Sequence, residues 1–230
     1  MGVAAATMVA ATVLVGAGSS TREHRSAALE FTPPDVLVGA IEGSVTLHLR
    51  PPRRSASRYP GGAAQSHAVQ PLPAVVYLEG PVPGVPTGTP GARHTLAQRD
   101  TAFAPGALVV QLGATIVFPN HDTFFHNVFS YSNAARFDLG RYPQGESKEV
   151  RFDEPGIVKV YCEVHEFMRA VVVVTENPFH AVVDAEGAFT LEGVPAGTYT
   201  LVAWHPDVDA VRETVVVSEG ATTRVDLELS

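Results

Sequence analysis

The chain has 230 residues, enough for one large domain or two small ones, and a formal net charge of −8 at pH 7. This charge argues against nucleic acid as a partner, since the chain has no basic stripe to neutralise phosphates. A single cysteine excludes an intramolecular disulfide framework. The 20 glycines, 18 prolines and abundant valine favour an all-β protein.

The N-terminus predicts export. Residues 1–18 contain the apolar run Val3–Gly16, which is short for a membrane span and typical of a signal-peptide core. No charged residue precedes Arg22, so an uncleaved anchor is the alternative. We therefore expect a periplasmic, secreted or otherwise extracytoplasmic protein, with membrane contact only if residues 1–18 remain attached. Residues 19–35 are polar, end in two prolines and are predicted to form a linker.

The next part of the chain predicts two separate strands. Residues 39–49 alternate apolar and polar side chains, as a half-buried strand does, and residues 74–78 form a second apolar run. Between them, residues 51–71 are rich in Pro, Gly, Arg and Ser and are predicted to be a loop. Residues 80–91 are a Pro- and Gly-rich linker.

From His94 onward short strands follow one another closely. Turn signals such as Pro143-Gln144-Gly145 separate them, and no segment has the period of an amphipathic helix. About seven short strands at this spacing predict a β-sandwich or barrel. The strands are predicted at residues 96–98, 107–111, 113–119, 127–130, 149–152, 157–162 and 170–175.

The sole cysteine lies in a pattern that predicts a metal site. Cys162, His165 and Met168 form a C-x2-H-x2-M motif directly after a strand. A thiol, an imidazole and a thioether are three of the four ligands of a mononuclear copper electron-transfer site. The fourth ligand should be a distant histidine, and His126 follows another apolar run. These four residues are the candidate copper ligands.

The period of the preceding strand gives the direction of the thiol. Val158, Val160 and Cys162 share one face of the strand at 157–162, so Cys162 should point into the sandwich at its end. The turn that follows would bring His165 and Met168 back toward the same point. His126 would approach from the end of a neighbouring strand.

Other interpretations of these residues remain open at this point. Taken alone, Cys162 could be an inert buried thiol, Met168 could fill the core and His126 could be a buried structural histidine. His121 lies five residues before His126 in a turn and is not expected to bind metal. The remaining histidines without suitably spaced partners are interpreted as surface or structural residues: His94, His180 and His205.

With these motifs in place, the segment resembles the cupredoxins, and within them the amicyanin-like and plastocyanin-like proteins. The resemblance covers about 80 residues, and the short ligand loop has the amicyanin-like length. The segment Asn120–Val128 is similar to the part of amicyanins that carries the first histidine ligand. Further landmarks are Gly113–Phe118 and Gly145-Glu146-Ser147 ahead of the Pro155-Gly156 turn.

The resemblance implies a cupredoxin Greek-key β-sandwich at residues 93–176 that holds one type 1 copper per chain. It implies His126, Cys162 and His165 as equatorial ligands and Met168 as the axial ligand. Asn127 would lie behind the ligands and brace the ligand loop. The chain departs from the usual pattern at Val164, where a proline normally precedes the histidine; no ligand is lost by this change.

The flanking segments are similar to carboxypeptidase-regulatory-like (transthyretin-like) sandwiches. The tail contains D-x-x-G-x-F-x-L from Asp184 and V-P-x-G-x-Y-x-L from Val194. Gly43-Ser44-Val45 and Pro71–Val76 are similar to the opening of such families. We therefore predict a second, smaller β-sandwich built from residues 36–88 and 178–230, with the copper domain inserted between them. The alternative is an N-terminal extension followed by two consecutive domains.

The cupredoxin resemblance implies an electron carrier that passes single electrons to and from transient, unidentified redox proteins through the edge of His165. An oxidase or nitrite reductase would need several further histidines for a second copper cluster, typically in H-x-H pairs. The chain contains no H-x-H pair. An enzyme is therefore not expected. The remaining alternative is a module that captures or delivers copper, or that serves envelope interactions.

Overall fold

The computed structural model describes residues 37–49 and 71–230. The predicted signal peptide or anchor, the 19–35 linker and nearly all of the predicted 51–71 loop lie outside these residues. The regular secondary structure of the described residues consists of β-strands alone, which confirms the all-β prediction. None of the described residues belongs to a helix that is long and apolar enough to cross a membrane.

Seventeen strands are described, and most are short, as the closely spaced turn signals indicate. In chain order they are β1 (Val38–Leu47), β2 (Val75–Leu78), β3 (Arg93–Thr95), β4 (Ala97–Arg99), β5 (Ala102–Ala104), β6 (Ala107–Gln111), β7 (Thr115–Pro119), β8 (His126–Ser132), β9 (Ala135–Tyr142), β10 (Ser147–Arg151), β11 (Gly156–Tyr161), β12 (Arg169–Thr175), β13 (His180–Val182), β14 (Ala188–Pro195), β15 (Gly197–His205), β16 (Val208–Val217) and β17 (Thr222–Leu229).

One sandwich, hereafter the copper sandwich, is built from β3 to β12. Its larger sheet has the order β6-β12-β11-β8-β9, its smaller sheet has the order β10-β7-β3, and β4 and β5 form a separate hairpin. Alternate residues of β7 and β11, including Ile116, Phe118, Val158 and Val160, are fully buried between the sheets. The same aliphatic and aromatic core extends to Cys162 and Met168.

The other sandwich, hereafter the flanking sandwich, combines strands from both ends of the described chain. Its sheets have the orders β14-β1-β17 and β13-β2-β15-β16. Strand β1 is antiparallel to β14 and parallel to β17, and the backbones come very close. A Cβ added at Gly43 would lie 1.7 Å from the carbonyl oxygen of Val225, so only glycine fits there. This arrangement confirms the predicted second, smaller β-sandwich.

The two sandwiches contact each other through the outer faces of β6 and β12 and through an ion pair. Strand β12 is almost continuously apolar because both of its faces are buried: one lies in the copper sandwich, and the other places Val171 and Val173 against Val75. At the start of β12, Arg169 donates two hydrogen bonds to the two carboxylate oxygens of Asp207, each 2.7 Å long. This forked geometry is favourable for an arginine–carboxylate pair.

Some strands were not among those predicted. Strand β9 was not predicted because Asp138 and Gly140 interrupt its alternation of apolar and polar residues. It pairs with β8 over most of its length. Strands β3, β5 and β13 have only three residues each, too few to show a period. Their positions are set by pairing with distant strands, which no local pattern reports.

Candidate metal centre

The candidate site lies where two neighbouring strands of the larger sheet end. Strand β8 begins at His126 and β11 ends at Tyr161, and the two pair antiparallel at Phe129 and Tyr161. Because antiparallel neighbours bring the start of one strand to the end of the other, His126 and Cys162 meet. Lys159 is exposed, so the opposite face of β11 carries Cys162 inward, where it is 3 % exposed.

Three donor atoms form a compact cluster. The Nδ1 atom of His126 lies 3.6 Å from the Sγ atom of Cys162 and 3.1 Å from the Nδ1 atom of His165, and the remaining Sγ to Nδ1 distance is 4.0 Å. These are the atoms through which one metal ion could be held. His126 is completely buried, whereas His165 is partly exposed. The cluster thus has a closed side and a side that faces solvent.

Met168 closes the turn that carries these donors. The N–H of Met168 donates to the carbonyl oxygen of His165 at 3.0 Å. The carbonyl oxygen of Met168 accepts a hydrogen bond from the N–H of Cys162 at 3.3 Å. The side chain is 1 % exposed and belongs to the same core as Cys162. Its axial role stays a prediction, as do the metal-binding roles of the other three residues.

Asn127 contacts the ligand loop directly. Its side-chain oxygen accepts a 2.6 Å hydrogen bond from the N–H of Glu163, the residue after Cys162. Its side-chain N–H group donates to Asp138 on β9 at 3.4 Å. A buried amide that is bonded on both sides is held in one orientation, so Asn127 links β8 to the loop.

An aromatic rim surrounds the partly exposed side of the cluster. The ring centroid of Phe124 lies 5.1 Å from that of His126 and 5.4 Å from that of His165. Phe167 lies 5.7 Å from His165 in an edge-on arrangement. Phe124 and Phe125 are 41 % and 55 % exposed, which is unusual for side chains of this size. The rim therefore presents apolar surface next to His165.

The other histidines among the described residues lie outside the cluster. Among the described residues, His126, Cys162 and His165 form the one group of suitable donors, and His121 is exposed and not part of it. His205 is buried and structural: its Nε2–H donates to the carbonyl oxygen of Leu72 at 3.0 Å, and its Nδ1 accepts from the N–H of Asp207. Burial lowers the pKa of the His205 imidazole.

Asp122, which lies behind His126, was not predicted as a site residue. An oxygen of its carboxylate is 2.8 Å from the Nε2 atom of His126. Burial opposes ionisation of this carboxyl, but hydrogen bonds from Thr101, His126 and Asp100 outweigh it and hold its pKa below the ordinary value. The available signal was an acidic residue four positions before a ligand histidine in a turn, although its partners at residues 100 and 101 were not foreseeable.

A buried polar network supports the same turn. The side-chain amide of Asn120 donates to the carbonyl oxygens of Phe124 and Tyr142, at 2.8 and 3.1 Å, and its oxygen accepts from the N–H of Asp122. The Tyr142 hydroxyl donates to the Phe118 carbonyl oxygen and accepts from a side-chain N–H of Gln98. Burial raises the pKa of the Tyr142 phenol, with the Gln98 hydrogen bond acting in the opposite direction. Neither Tyr142 nor Gln98 carried a sequence signal for this role.

The donor set fits copper. Two imidazole nitrogens and one thiol sulfur, within 4.8 Å of one another, combine ligands acceptable to Cu(II) with a soft ligand that stabilises Cu(I). A buried thioether follows in the same loop. Hard cations such as Mg²⁺ and Ca²⁺ prefer oxygen ligands, and none of these three donor atoms is an oxygen.

Comparison with known proteins points to the same metal. Residues 92–175 match the family described as copper binding proteins, plastocyanin/azurin family. Over 88 residues the chain is 38 % identical to plastocyanin from Vicia faba, which covers 33 % of this chain and 88 % of that protein. It is 36 % identical over 88 residues to chloroplastic plastocyanin from Pisum sativum, of which it spans about half, 52 %. The chain belongs to the plastocyanin/azurin family and binds copper.

The second predicted resemblance is confirmed as well, since residues 167–230 match the carboxypeptidase regulatory-like domain. Two solved structures are similar to parts of the chain. A copper-containing nitrite reductase from Thermus scotoductus SA-01 is 22 % identical with a TM-score of 0.35, covering 39 % of this chain and 25 % of that one. A mutant of amicyanin in its reduced Cu(I) form is 25 % identical with a TM-score of 0.34, covering 37 % and 84 %.

Proposed function

We propose that the protein is an extracytoplasmic electron carrier with one type 1 copper per chain, held equatorially by His126, Cys162 and His165 and axially by Met168. The observation that supports this most is the cluster of two imidazoles and one thiol, with donor atoms within 4.8 Å and only the His165 ring partly exposed. Family membership through the copper-binding domain supports the same conclusion.

The bound copper would supply a one-electron couple between Cu(II) and Cu(I). The chain's own residues keep the donor atoms in one arrangement in both states. Cys162 is buried and its N–H is bonded within the loop, Asn127 ties that loop to β8, and His126 is enclosed by the core. Little rearrangement is then needed when an electron arrives or leaves, and water is kept from the sulfur.

His165 is the proposed route for the electron because it is the partly exposed ligand. The apolar side chains next to it, Phe124 and Val164, are exposed, as is Phe125 beside Phe124 in the chain, and they suit a brief contact with a redox protein. Small interfaces of this kind separate quickly, as a shuttle requires. We propose that no substrate is transformed at this site.

We also propose that the copper domain, residues 93–176, is inserted into a sandwich formed by residues 36–88 and 178–230. The strand pairing supports this: β1 pairs with β14 and β17, and β2 pairs with β13 and β15. Limited proteolysis should cut both connections and leave a folded copper domain. A fragment of residues 178–230 that folds cooperatively by itself would contradict the insertion.

Export is proposed from residues 1–18 alone. Expression of the full chain in a bacterial host, followed by fractionation and mass spectrometry of the N-terminus, tests it. A periplasmic product that begins near residues 18–20 supports a signal peptide, whereas an intact N-terminus in the membrane fraction supports an anchor. A product confined to the cytoplasm would contradict export.

The copper assignment is tested by loading the protein with Cu(II) and recording its visible and EPR spectra. The electron carrier predicts an intense thiolate-to-copper band that a reductant bleaches and an oxidant restores. A colourless Cu(I) form that cannot be reoxidised would favour copper capture or delivery instead. Zinc-loaded protein is the control, because it has the same ligands and no visible band.

A further inference from the structure

The two ring nitrogens of His126 face different neighbours. Nδ1 faces the sulfur of Cys162 and the ring of His165, whereas Nε2 lies 2.8 Å from a carboxylate oxygen of Asp122. A carboxylate can only accept a hydrogen bond, so Nε2 carries the proton and donates it. In a neutral imidazole, the form that binds metal, this leaves the lone pair on Nδ1, on the side of the copper ligands. The contact to Asp122 thus fixes the tautomer that metal binding needs.

Asp122 is itself held in place. Its Oδ1 accepts a 2.7 Å hydrogen bond from the N–H of Asp100, and its Oδ2 accepts one from the N–H of Thr101 at 3.0 Å. Its own N–H donates to the buried side chain of Asn120. The Asp122 side chain is only 10 % exposed. It cannot turn away from His126 without giving up both hydrogen bonds from the backbone.

The hairpin that provides these two N–H groups has an uncommon shape. Asp100 and Thr101, between β4 and β5, have φ angles of 55° and 57°, in the left-handed region that residues other than glycine seldom adopt. This conformation directs two successive N–H groups at one carboxylate, a concave arrangement suited to an anion. Hydrogen bonds thus connect the strained turn to Asp122, and Asp122 to the ligand His126.

We propose that Asp122 is a positioning residue that fixes the ring of His126 and shifts the copper couple toward Cu(II). This inference rests on the proposed copper site. A carboxylate that accepts the Nε2–H increases the electron density at Nδ1 and makes it a stronger donor. Its negative charge is largely removed from solvent, so it is weakly screened and favours the more positive metal state.

The test is a redox titration of the copper-loaded full chain with three variants. Asp122→Asn keeps the size and an accepting oxygen but removes the charge, and Asp122→Ala removes the partner. Asp100→Asn is the matched control: it removes an exposed carboxylate from the hairpin that binds Asp122, and asparagine tolerates a positive φ. The backbone N–H of residue 100 is unchanged.

Both Asp122 variants should keep the blue band but bind Cu(II) about tenfold to a hundredfold more weakly. Cu(I) affinity should change less, so the Cu(I) to Cu(II) ratio at the wild-type midpoint potential should rise about tenfold or more. Asp100→Asn should change this ratio less than about twofold. The proposal is wrong if Asp122→Asn leaves the ratio unchanged, or if the control shifts it equally.

A second measurement, made on the wild-type protein, tests the proposal even if the variants do not fold. In the wild-type protein, NMR of the diamagnetic Cu(I) and metal-free forms should show a slowly exchanging Nε2 proton on His126. Its absence from both forms would refute the hydrogen bond. A wild-type protein without a reversible blue band would refute the proposed function instead, and the proton resonance would still decide whether Asp122 holds the ring.

Discussion

The copper sandwich and the flanking sandwich are built from the same kind of strands, yet their interiors differ. The interior of the flanking sandwich is almost entirely aliphatic and aromatic, with His205 and Asn177 as its buried polar side chains among the described residues. In the copper sandwich, Gln98, Asn120, His126 and Asn127 are buried at the end that holds the metal cluster, whereas Ser130 and Thr175 are buried away from it. Buried polar groups are costly unless bonded, so their concentration at this end marks the metal centre.

The two sandwiches differ mainly in a few residues at strand ends and in one turn, and these residues form the metal site. In the copper sandwich, hydrogen bonds among Asn120, Asp122 and His126 fix side chains that hydrophobic packing alone would leave adjustable. In the flanking sandwich the buried Asn177 only fixes backbone, by donating to the carbonyl oxygens of Leu78 and Gly80. If this comparison is right, mutations in the two sandwiches should separate metal chemistry from stability.

The largest effect is expected from Cys162→Ser. Serine cannot provide the thiolate, so the thiolate-to-copper band should disappear completely. The measurement is the visible spectrum after Cu(II) loading. Ala170→Ser is the matched control, because it adds a hydroxyl to the same buried core without touching a donor atom. A band that survives in Cys162→Ser would remove Cys162 from the ligand set.

Leu201→Ala, in the core of the flanking sandwich, should lower the free energy of unfolding without altering the copper site. Leu201 is fully buried, and such a truncation costs about 2–5 kcal/mol through lost burial and the cavity it leaves. Denaturant unfolding and the position of the visible band are the two readouts. Val216→Ala on the exposed face of β16 should change neither. A shifted band in Leu201→Ala would show that the two interiors are coupled.

A matched pair of asparagines gives the sharpest comparison. Asn120 and Asn177 are both buried, and each donates two hydrogen bonds to carbonyl oxygens and accepts one from an N–H. Replacing either with alanine should lower the free energy of unfolding by about 1–3 kcal/mol, because backbone groups lose their partners. Only Asn120→Ala should also change the copper spectrum and potential. Equal spectral effects from both variants would contradict the assignment of separate roles.

The smallest expected effect is a pH dependence of stability that originates in His205. Burial lowers the pKa of His205 below its unfolded value of about 6.5, so its stabilisation is fully present above that pH and is lost as the pH falls toward the folded pKa. One proton contributes at most about 1.4 kcal/mol per pH unit.

The free energy of unfolding of His205→Gln should therefore fall less steeply than that of the wild type between pH 7.5 and 5. Burial also lowers the pKa of His180, which leaves part of the slope in place. Val216→Ala, which removes no titratable group, should leave the wild-type profile unchanged. A His205→Gln profile identical to that of the wild type would show that His205 does not contribute.

The cluster could be predicted from the sequence because each feature that indicates it is local in the chain. The strand period gave the direction of Cys162, the loop spacing brought in His165, and an apolar run ahead of a histidine suggested His126. Asp122 was missed because its role depends on N–H groups some 20 residues away in a hairpin of three-residue strands. Contacts of this kind are made by tertiary packing, and neither composition nor period reports them.

A spectroelectrochemical titration of the copper-loaded full chain, in both the reductive and oxidative directions, tests the proposed electron carrier most directly. A blue copper site should give an intense thiolate-to-copper band that disappears and returns along one curve, fitted by a single one-electron midpoint potential, with one copper per chain. Protein that binds copper without this band, or a band that does not return on reoxidation, would contradict a blue copper electron carrier.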